Sequence, residues 1–447
     1  MPTLDAHAPA FRKPHQGIST PALLVTLSIA VLLAIAALNL AQLSHQRHQI
    51  QIGADAAALA ATAQLQDRRW LYLGPGDPGD EDVAAKLPQL GGILDAQIDM
   101  AQTAAEQFAF QNKVANQPIR VDADDVSMGF VAEPAERVFV EASSLEMHDG
   151  FNSLIVKASR RKSAGNLPML WMASQLGLEK LEMKIYSQAV IDQRVYGLRP
   201  ITARDTAGLP TGETHVPVPI VPIAVMPDTE DLCMDVPETY PENLWWAKGP
   251  RDEFIVVPER QQVTPDNAGD GIAEFVIRIP CSDCTGDADD TVNTREGALL
   301  AFGGAGTGPA AILHVSRNGL QAEDLLPHGE LNLNDPNNLP IFPANYNVTS
   351  DDLTAIRAGL LSTDTSLPRL IGAPRIFPIG APYGNDEFAI AGFVAGTIVD
   401  CTRDSDGSLL LVVQPCVLQS PTALVAGVVN NDVIPRNPWI GKLLLNR

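Results

Sequence analysis

The sequence predicts an α+β protein that is held at a membrane by its N-terminal helix. A long apolar segment lies near the N-terminus, and an alanine-rich segment follows it without a break. Both compositions favour helices. The rest of the chain is rich in turn residues, with 34 Gly and 35 Pro in total, and such residues between short β-branched runs indicate strands. We therefore expect a transmembrane helix that continues as an alanine-rich helix, a membrane-proximal α+β domain and a β-rich ectodomain.

The apolar segment has the length of a membrane-spanning helix. No Asp, Glu, Lys or Arg occurs between Lys13 and Arg47, and Ala22–Leu43 is apolar almost throughout. A bilayer crossing needs about 20 such residues, and a single crossing must be helical because every backbone amide needs an internal partner. A secreted protein with a cleaved signal peptide is the alternative, but this run exceeds the roughly 7–15 apolar residues of a signal peptide.

These patterns divide the chain into segments on both sides of the membrane. We expect a cytoplasmic tail over 1–19, a transmembrane helix over 20–43, an alanine-rich helix with an α+β domain over 44–195, and a β-rich acidic ectodomain over 196–447. Basic residues favour the cytoplasmic side of a membrane. Arg12 and Lys13 precede the helix and Arg47 follows it, which predicts a cytoplasmic N-terminus and an external C-terminus at the inner (cytoplasmic) membrane.

The charge of the chain argues against nucleic acid as a partner. The formal net charge is -22, whereas phosphate neutralisation requires a basic surface. An acidic surface of this kind keeps a protein soluble.

The alanine-rich helix carries small residues at helical spacing. Ala54, Ala57, Ala58 and Ala61 lie on one stripe, with a single acid, Asp55, beside them. Small side chains at this spacing allow helices to approach closely. We expect these residues to form a helix-packing surface outside the ectodomain core, where a packed Asp55 would need a cationic or amide partner on a neighbouring helix. A stalk without a specific partner is the alternative.

A short basic tail, an apolar helix and an alanine-rich continuation resemble the N-terminal region of TadE/TadG-like proteins. These are pseudopilin-like membrane proteins of the bacterial tight-adherence (Flp) pilus. Much of the likeness lies in residues 54–60, Ala-Asp-Ala-Ala-Ala-Leu-Ala. Segments 95–129 and 154–177 resemble later parts of the family, and 372–400 is similar to its large planctomycete-type TadG-like form.

The resemblance implies a non-enzymatic component of a Tad/Flp pilus that acts in assembly or adhesion. Its implied partners are the membrane, other pilus-assembly proteins and further copies of the chain. Prepilin processing sites carry Glu five residues after Gly, but Ala22 stands at that distance from Gly17. This departure favours an uncleaved, TadG-like role. The Asp-x-Ser-x-Ser metal motif of some relatives does not occur in the sequence, so no metal site is implied.

Cys281 and Cys284 could form a redox pair, half a zinc site or a disulfide. Neighbouring acids such as Asp283 disfavour a reactive thiolate, and no second close Cys or His pair completes a zinc site. We expect a disulfide in an oxidising compartment. Cys401 and Cys416 flank a predicted hairpin but are out of register, since Cys401 should face a residue near Leu410. The pairing of Cys401 and Cys416 with each other or with Cys233 is left open.

Further motifs resemble nucleotide-binding or calcium-binding loops, but their residue spacing does not match these loops. The glycine run 303–308 matches neither G-x-G-x-x-G nor a P-loop and predicts a plain loop. The acids at 287–290 and the turn 404–407 do not match a calcium loop and predict solvated turns. We therefore predict no catalytic, cofactor-binding or metal-binding residue. The alternative is an anchored ligand-binding protein or enzyme with an unrecognised site in 196–447.

Hydrophobic periodicity places the remaining elements. It predicts a helix over Ile93–Val114, and the prolines of 215–228 exclude a helix there. Strands are predicted over Ile119–Val126, Arg137–Ala142, Leu154–Ala158, Leu181–Tyr186, Phe254–Val257, Glu274–Ile279, Ala298–Phe302, Phe393–Val399 and Leu409–Val413.

Overall fold

A long N-terminal helix and a set of antiparallel strands dominate the computed structural model of the protein. The structure describes residues 20–66, 68, 71, 91–132, 134, 138–142, 151–161, 182–204, 210–226, 272, 274–286, 295–303, 306–325, 329–333, 340–364, 366–384, 386–425, 437 and 439–446. The helices are α1 (Thr20–Thr62), α2 (Gly91–Gln111), α3 (Pro309–Asn318) and α4 (Ser350–Leu360).

The strands fall into two large sheets and three small ones. In chain order they are β1 (Lys113–Val114), β2 (Gln117–Pro118), β3 (Val126–Phe130), β4 (Val140–Glu141), β5 (Ser153–Arg160), β6 (Met183–Asp192), β7 (Val195–Leu198), β8 (Ile201–Arg204), β9 (Pro210–Val216), β10 (Ile223–Val225), β11 (Phe275–Ile279), β12 (Arg295–Leu300), β13 (Leu331–Asn332), β14 (Ile341–Asn345), β15 (Pro374–Pro382), β16 (Glu387–Arg403), β17 (Leu409–Pro415), β18 (Leu418–Gln419), β19 (Ala423–Val425) and β20 (Ile440–Asn446). The small sheets are β1-β2, β8-β9 and β13-β7-β19.

The sheet that packs against α1 has six strands in the order β18-β20-β6-β5-β3-β4, and we call it the proximal sheet. Its pairings are antiparallel except that of β18 with β20. α1 contacts β5, β6 and α2, and these elements share one hydrophobic core. Leu154, Val156 and Ala158 of β5 face this core at alternate positions, as the two-residue period of a strand requires.

The second sheet has seven strands in the order β10-β15-β16-β14-β12-β11-β17, and we call it the distal sheet. The long strand β16 pairs with β15 along one edge and with both β14 and β17 along the other. Further pairings of β10 with β12 and of β16 with β17 close the sheet into a ring. The larger hydrophobic core belongs to this part of the chain and includes the fully buried Phe275, Phe377 and Phe388.

The C-terminal strand returns to the proximal sheet. β20 pairs with β6 from Lys442 opposite Asp192 to Asn446 opposite Gln188. Close to this strand, Gln419 Nε2 donates a hydrogen bond of 2.7 Å to the backbone oxygen of Ala63, at the end of α1. The domain boundary at residue 195 stays a prediction, and these contacts tie the end of the chain to the segment before that boundary.

The α+β class is confirmed, and the predicted helix over Ile93–Val114 occurs as α2. The strand predicted over Ile119–Val126 is wrong. Asp122 and Asp125 form a capping box around the 3₁₀ turn Ala123–Asp125, so that the strand begins only at Val126. Arg137–Ala142 contains only the short β4 among the described residues, and Phe254–Val257 lies outside them.

Candidate functional site

The first half of α1 carries large apolar side chains that the protein leaves uncovered. Exposed fractions of 50–69 % occur at Leu23, Leu24, Val25, Leu27, Ile29, Val31, Leu32, Leu33, Leu38 and Leu40. By length and composition this helix could cross a membrane, and its apolar part is almost entirely uncovered by the protein. Apolar surface of this extent is unfavourable in water and favourable in hydrocarbon. This half of α1 is therefore a candidate membrane anchor.

The second half of α1 is buried by the protein itself. Of the predicted stripe, Ala54, Ala57, Ala58 and Ala61 are 0 % exposed and Asp55 is 5 % exposed. The four alanines belong to the core that the proximal sheet shares with α2. The stripe therefore lies in the core of the membrane-proximal domain and outside the larger core of the distal sheet, and its small side chains pack α1 on its own domain.

The two helices of this core meet through small residues. α2 contributes Ala101, Ala105 and Ala109, which are fully buried at four-residue spacing. Gly53 of α1 faces the end of α2, where an added Cβ would lie 3.1 Å from Asn112 Cβ and 2.3 Å from Ile119 Cδ1. The helix packing expected of the stripe thus occurs within the chain. Packing against another protein stays a prediction.

Asp55 is buried with hydrogen-bond partners. Ser187 Oγ of β6 donates to Asp55 Oδ1 at 2.6 Å, and Gln51 Nε2 donates to the same oxygen at 2.7 Å. These donors offset part of the cost of removing a carboxylate from water. One of these partners is a strand hydroxyl, and the other is an amide of α1 itself.

A buried arginine joins the middle of α1 to the proximal sheet. Arg160, the last residue of β5, is 1 % exposed. Its Nη1 donates to Gln46 Oε1 at 3.0 Å, and its Nη2 donates to Gln117 Oε1 at 2.6 Å. Burial lowers the pKa of the Arg160 guanidinium from its ordinary value. This contact fixes the helix to the sheet at the point where the exposed half of α1 gives way to the buried half.

Both halves of α1 lie within one region of family similarity. Residues 17–64 match the Tad family model, described as Flp pilus-assembly TadE/G-like. This segment is TadE/G-like. The match confirms the resemblance predicted from the sequence over these residues, whereas the likeness of 95–129, 154–177 and 372–400 stays a prediction. No curated protein and no solved structure matches the chain.

Far from the TadE/G-like segment, Cys281 and Cys284 form the predicted disulfide, with Cα atoms 5.5 Å apart. The loop that they close holds the start of α4, because Asp283 Oδ1 accepts a hydrogen bond of 2.7 Å from the Ser350 amide. Asp283 also lies beside both sulfur atoms. Sulfurs in a disulfide are not the thiolates that bind zinc, so the group acts as a structural joint.

The acidic turn at 404–407 packs on this joint. Asp404 and Asp406 form ion pairs with Arg278, and their side chains are 7 % and 12 % exposed. The prediction of a solvated turn is therefore wrong for this segment. Gly407 has φ +83° and lies so close to the disulfide that an added Cβ would be 2.3 Å from Cys284 Sγ. The acids at 287–290 lie outside the described residues.

Cys401 and Cys416 carry free thiols. Cys401 lies opposite Leu411, which confirms that the two cysteines are out of register. Burial raises the pKa of Cys401 to about 12 and that of Cys416 to about 11, so neither is a reactive thiolate at neutral pH. Cys233 lies outside the described residues.

Sequence reasoning missed the groups that hold α1 in place. Two of these contacts join residues that are far apart in sequence. Arg160 is 114 residues from Gln46, and Ser187 is 132 residues from Asp55. An arginine at the end of an apolar strand was the one local signal of a buried partner. The glycine run 303–308 ends at the N-cap of α3, a helix that the sequence analysis does not predict.

Proposed function

We propose that the chain is a non-enzymatic, TadG-like cell-envelope component of a bacterial Tad/Flp pilus, acting in pilus assembly or adhesion. The observation that carries this proposal is the TadE/G-like match over 17–64, which coincides with a helix whose first half is apolar and exposed. A pseudopilin-like role needs such a helix, because one half can lie in the membrane while the other half holds a folded domain.

We also propose a single membrane pass in the inner membrane, with the N-terminus in the cytoplasm and the ectodomain outside it. Arg12 and Lys13 before the helix support this orientation. The disulfide Cys281–Cys284 supports an oxidising compartment for the ectodomain. A C-terminal alkaline phosphatase fusion should be active and a C-terminal cytoplasmic reporter inactive; the opposite result would reverse the proposed orientation.

The non-enzymatic assignment is supported by what the chemically suggestive residues do. Cys281 and Cys284 are joined to each other, and Asp404 and Asp406 are paired with Arg278. Each group thus has a structural role in the contact between α4, β11 and the turn after β16. Enzyme or ligand-binding activity in 196–447 would instead need a site that these groups do not form.

A deletion strain tests the pilus role. Loss of the chain should abolish or strongly reduce surface pili, and the wild-type sequence should restore them. A photo-cross-linking residue at Leu33, which is 66 % exposed, should capture Tad/Flp assembly proteins or a second copy of the chain in the membrane. The same residue at Ile52, 50 % exposed beyond the predicted span, is the matched control. Normal piliation in the deletion strain, with no protein captured from Leu33, would refute the proposal.

A further inference from the structure

We propose that the membrane-facing end of the proximal sheet binds anionic phospholipid headgroups. This inference rests on the membrane anchor proposed above. The surface consists of Arg47, Lys113, Arg120, Arg161 and Lys184, and we call it the basic rim. Arg47 lies on α1, Lys113 on β1 and Lys184 on β6, whereas Arg161 directly follows β5 and Arg120 lies two residues after β2. The strands β1, β5 and β6 each contact α1.

The position of Arg160 sets the depth of the basic rim. Its guanidinium donates to Gln46 at 3.0 Å, and Gln46 is three residues beyond Leu43, the end of the predicted span. At about 1.5 Å of rise per helical residue, this contact lies roughly 5 Å outside the hydrocarbon. The headgroup layer occupies about 5–8 Å on each side of a bilayer. The end of β5 is therefore at headgroup depth.

The other cations lie beside this contact or on elements that take part in it. Lys184 pairs with Ser159 across the β5-β6 ladder, and Arg120 forms an isolated bridge with Ser159. Ser159 precedes Arg160 in β5, so the backbone of its partners Lys184 and Arg120 is only about 3.3 Å farther from the membrane than that of Arg160. Lys113 belongs to the hairpin whose Gln117 accepts a hydrogen bond from Arg160. Arg47 follows Gln46 directly and is exposed.

The charge at this end contrasts with the net charge of -22 of the whole chain. Arg47, Lys113, Arg120 and Lys184 are exposed, and none of them forms an ion pair in the part of the chain that the structure describes. Acids are also present: Asp122 and Asp125 pair with Arg161, Lys157 pairs with Asp125, and Asp124 and Glu182 are exposed. The cations outnumber these acids, so the rim is a basic end on an acidic protein.

Anionic lipid phosphates complement such a surface. A Lys or Arg side chain near an anionic membrane strengthens binding by about 1 kcal/mol, which is about fivefold in affinity. The exposed cations lie within about a Debye length (~10 Å at 0.1 M salt) of the headgroups, so they attract phosphate at ordinary ionic strength. The rim therefore selects the lipids that surround the base of α1.

Reconstituted protein tests this selection. The full chain is placed in phosphatidylcholine vesicles with trace spin-labelled phosphatidylglycerol or spin-labelled phosphatidylcholine, and the relative association of each tracer with the protein is measured by electron paramagnetic resonance. The wild type should hold phosphatidylglycerol about fivefold or more over phosphatidylcholine at low salt. The triple variant Lys113→Gln, Arg120→Gln, Lys184→Gln removes three of the five rim cations and should lower this ratio several-fold. The double variant Arg204→Gln, Arg369→Gln, at exposed cations outside the rim, should keep it.

Four results would overturn the proposal. The first is a phosphatidylglycerol-to-phosphatidylcholine ratio near one for a wild-type protein that resists alkaline extraction. This result would refute the rim but not the membrane anchor. The second is an unchanged ratio in a triple variant that melts like the wild type. The third is a loss of the preference for phosphatidylglycerol in a buffer with inorganic phosphate but not in a chloride buffer of the same ionic strength. This result would show that the rim binds a soluble anion. Alkaline extraction of the wild type itself would refute the anchor and the rim together.

Discussion

The two halves of α1 reverse the usual relation between side-chain size and burial. In the first half, ten leucine, isoleucine and valine residues are 50–69 % exposed, and Ile35 is the buried exception. In the second half, the four alanines of the stripe, which have little surface to bury, are 0 % exposed. A helix of a water-soluble protein would bury its large apolar residues. The comparison shows that the two halves have different surroundings: the first is uncovered and is a candidate membrane anchor, and the second is packed closely against protein.

The difference also shows what alanine-rich segments can do. Ala54, Ala57, Ala58 and Ala61 offer little hydrophobic area, but they let α1 lie close to α2 and the proximal sheet. Close approach of helices is the known benefit of small residues, within membranes and outside them. Here close packing joins the folded domain to the candidate anchor.

The largest expected effect comes from placing a charge in the exposed half. Leu32→Arg should raise the apparent free energy of membrane insertion of the segment 20–43 by roughly 3 kcal/mol, because a charged residue near the centre of a span is costly. A glycosylation-reporter insertion assay measures this shift. The matched variant Ile52→Arg, at a residue 50 % exposed in the second half, should change neither insertion nor stability appreciably. Equal effects at the two sites would remove the contrast between the halves.

Enlarging a residue of the buried half should destabilise the folded domain. Ala58→Leu adds volume to a fully packed contact and should lower the free energy of unfolding by about 1–3 kcal/mol. Ala56→Leu, at a partly exposed position of the same helix, is the control and should change it by less than about 0.5 kcal/mol. Chemical unfolding of the full chain in detergent measures both variants. If Ala58→Leu were neutral, the alanine stripe would not be part of the core.

The polar contact between Asp55 and Ser187 should have a smaller effect. Ser187→Ala removes the donor at 2.6 Å and leaves the buried carboxylate with fewer partners, at a cost of about 1–2 kcal/mol. Asp55→Asn keeps the shape of the acceptor and removes the charge. A double-mutant cycle should give a coupling of about 1 kcal/mol between the two positions. Additive effects would show that this hydrogen bond does not stabilise the packing of α1 on the proximal sheet.

The smallest effect is expected at the joint far from α1. Burial of Asp406 favours its neutral form, but hydrogen bonds from Ser408 and Arg278 outweigh this, and the pKa of Asp406 lies below its ordinary value of 3.8. A lowered folded-state pKa adds stability above the ordinary value, and this stability is lost as the pH falls through the lowered pKa. Arg278→Gln should therefore destabilise the protein at pH 7, and the difference from the wild type should shrink below about pH 4. A difference that is constant from pH 7 to pH 3 would contradict this assignment.

Local patterns predicted α1, α2 and most core strands, because helical and strand periodicity depends on neighbouring residues. The surroundings of the stripe could not be predicted in the same way. Alanines at helical spacing look the same whether they face a partner helix or the chain's own sheet, and the groups that decide, such as Arg160 and Ser187, lie far away in sequence. The return of β20 to β6 is a long-range pairing of the same kind.

Two missed helices had local signals. α4 begins after Thr349, whose Oγ1 accepts a hydrogen bond from the Asp352 amide, and two acids occupy its first turn. This is a regular N-terminal capping pattern. α3 follows Gly308 with Pro309 as its first residue, the position that tolerates proline. Because α3 and α4 are short and lie among strands, these signals alone did not predict the two helices.

Accessibility along α1 in a bilayer tests the central claim, that one continuous helix is in lipid at one end and in the protein core at the other. A genetically encoded spin-labelled residue at Leu27, Leu32 and Ile52 reports collisions with oxygen, which concentrates in lipid, and with a water-soluble nickel chelate. Labels at Leu27 and Leu32 should be accessible to oxygen and shielded from nickel, whereas the label at Ile52 should be accessible to nickel. Nickel access at Leu32 equal to that at Ile52 would contradict the account.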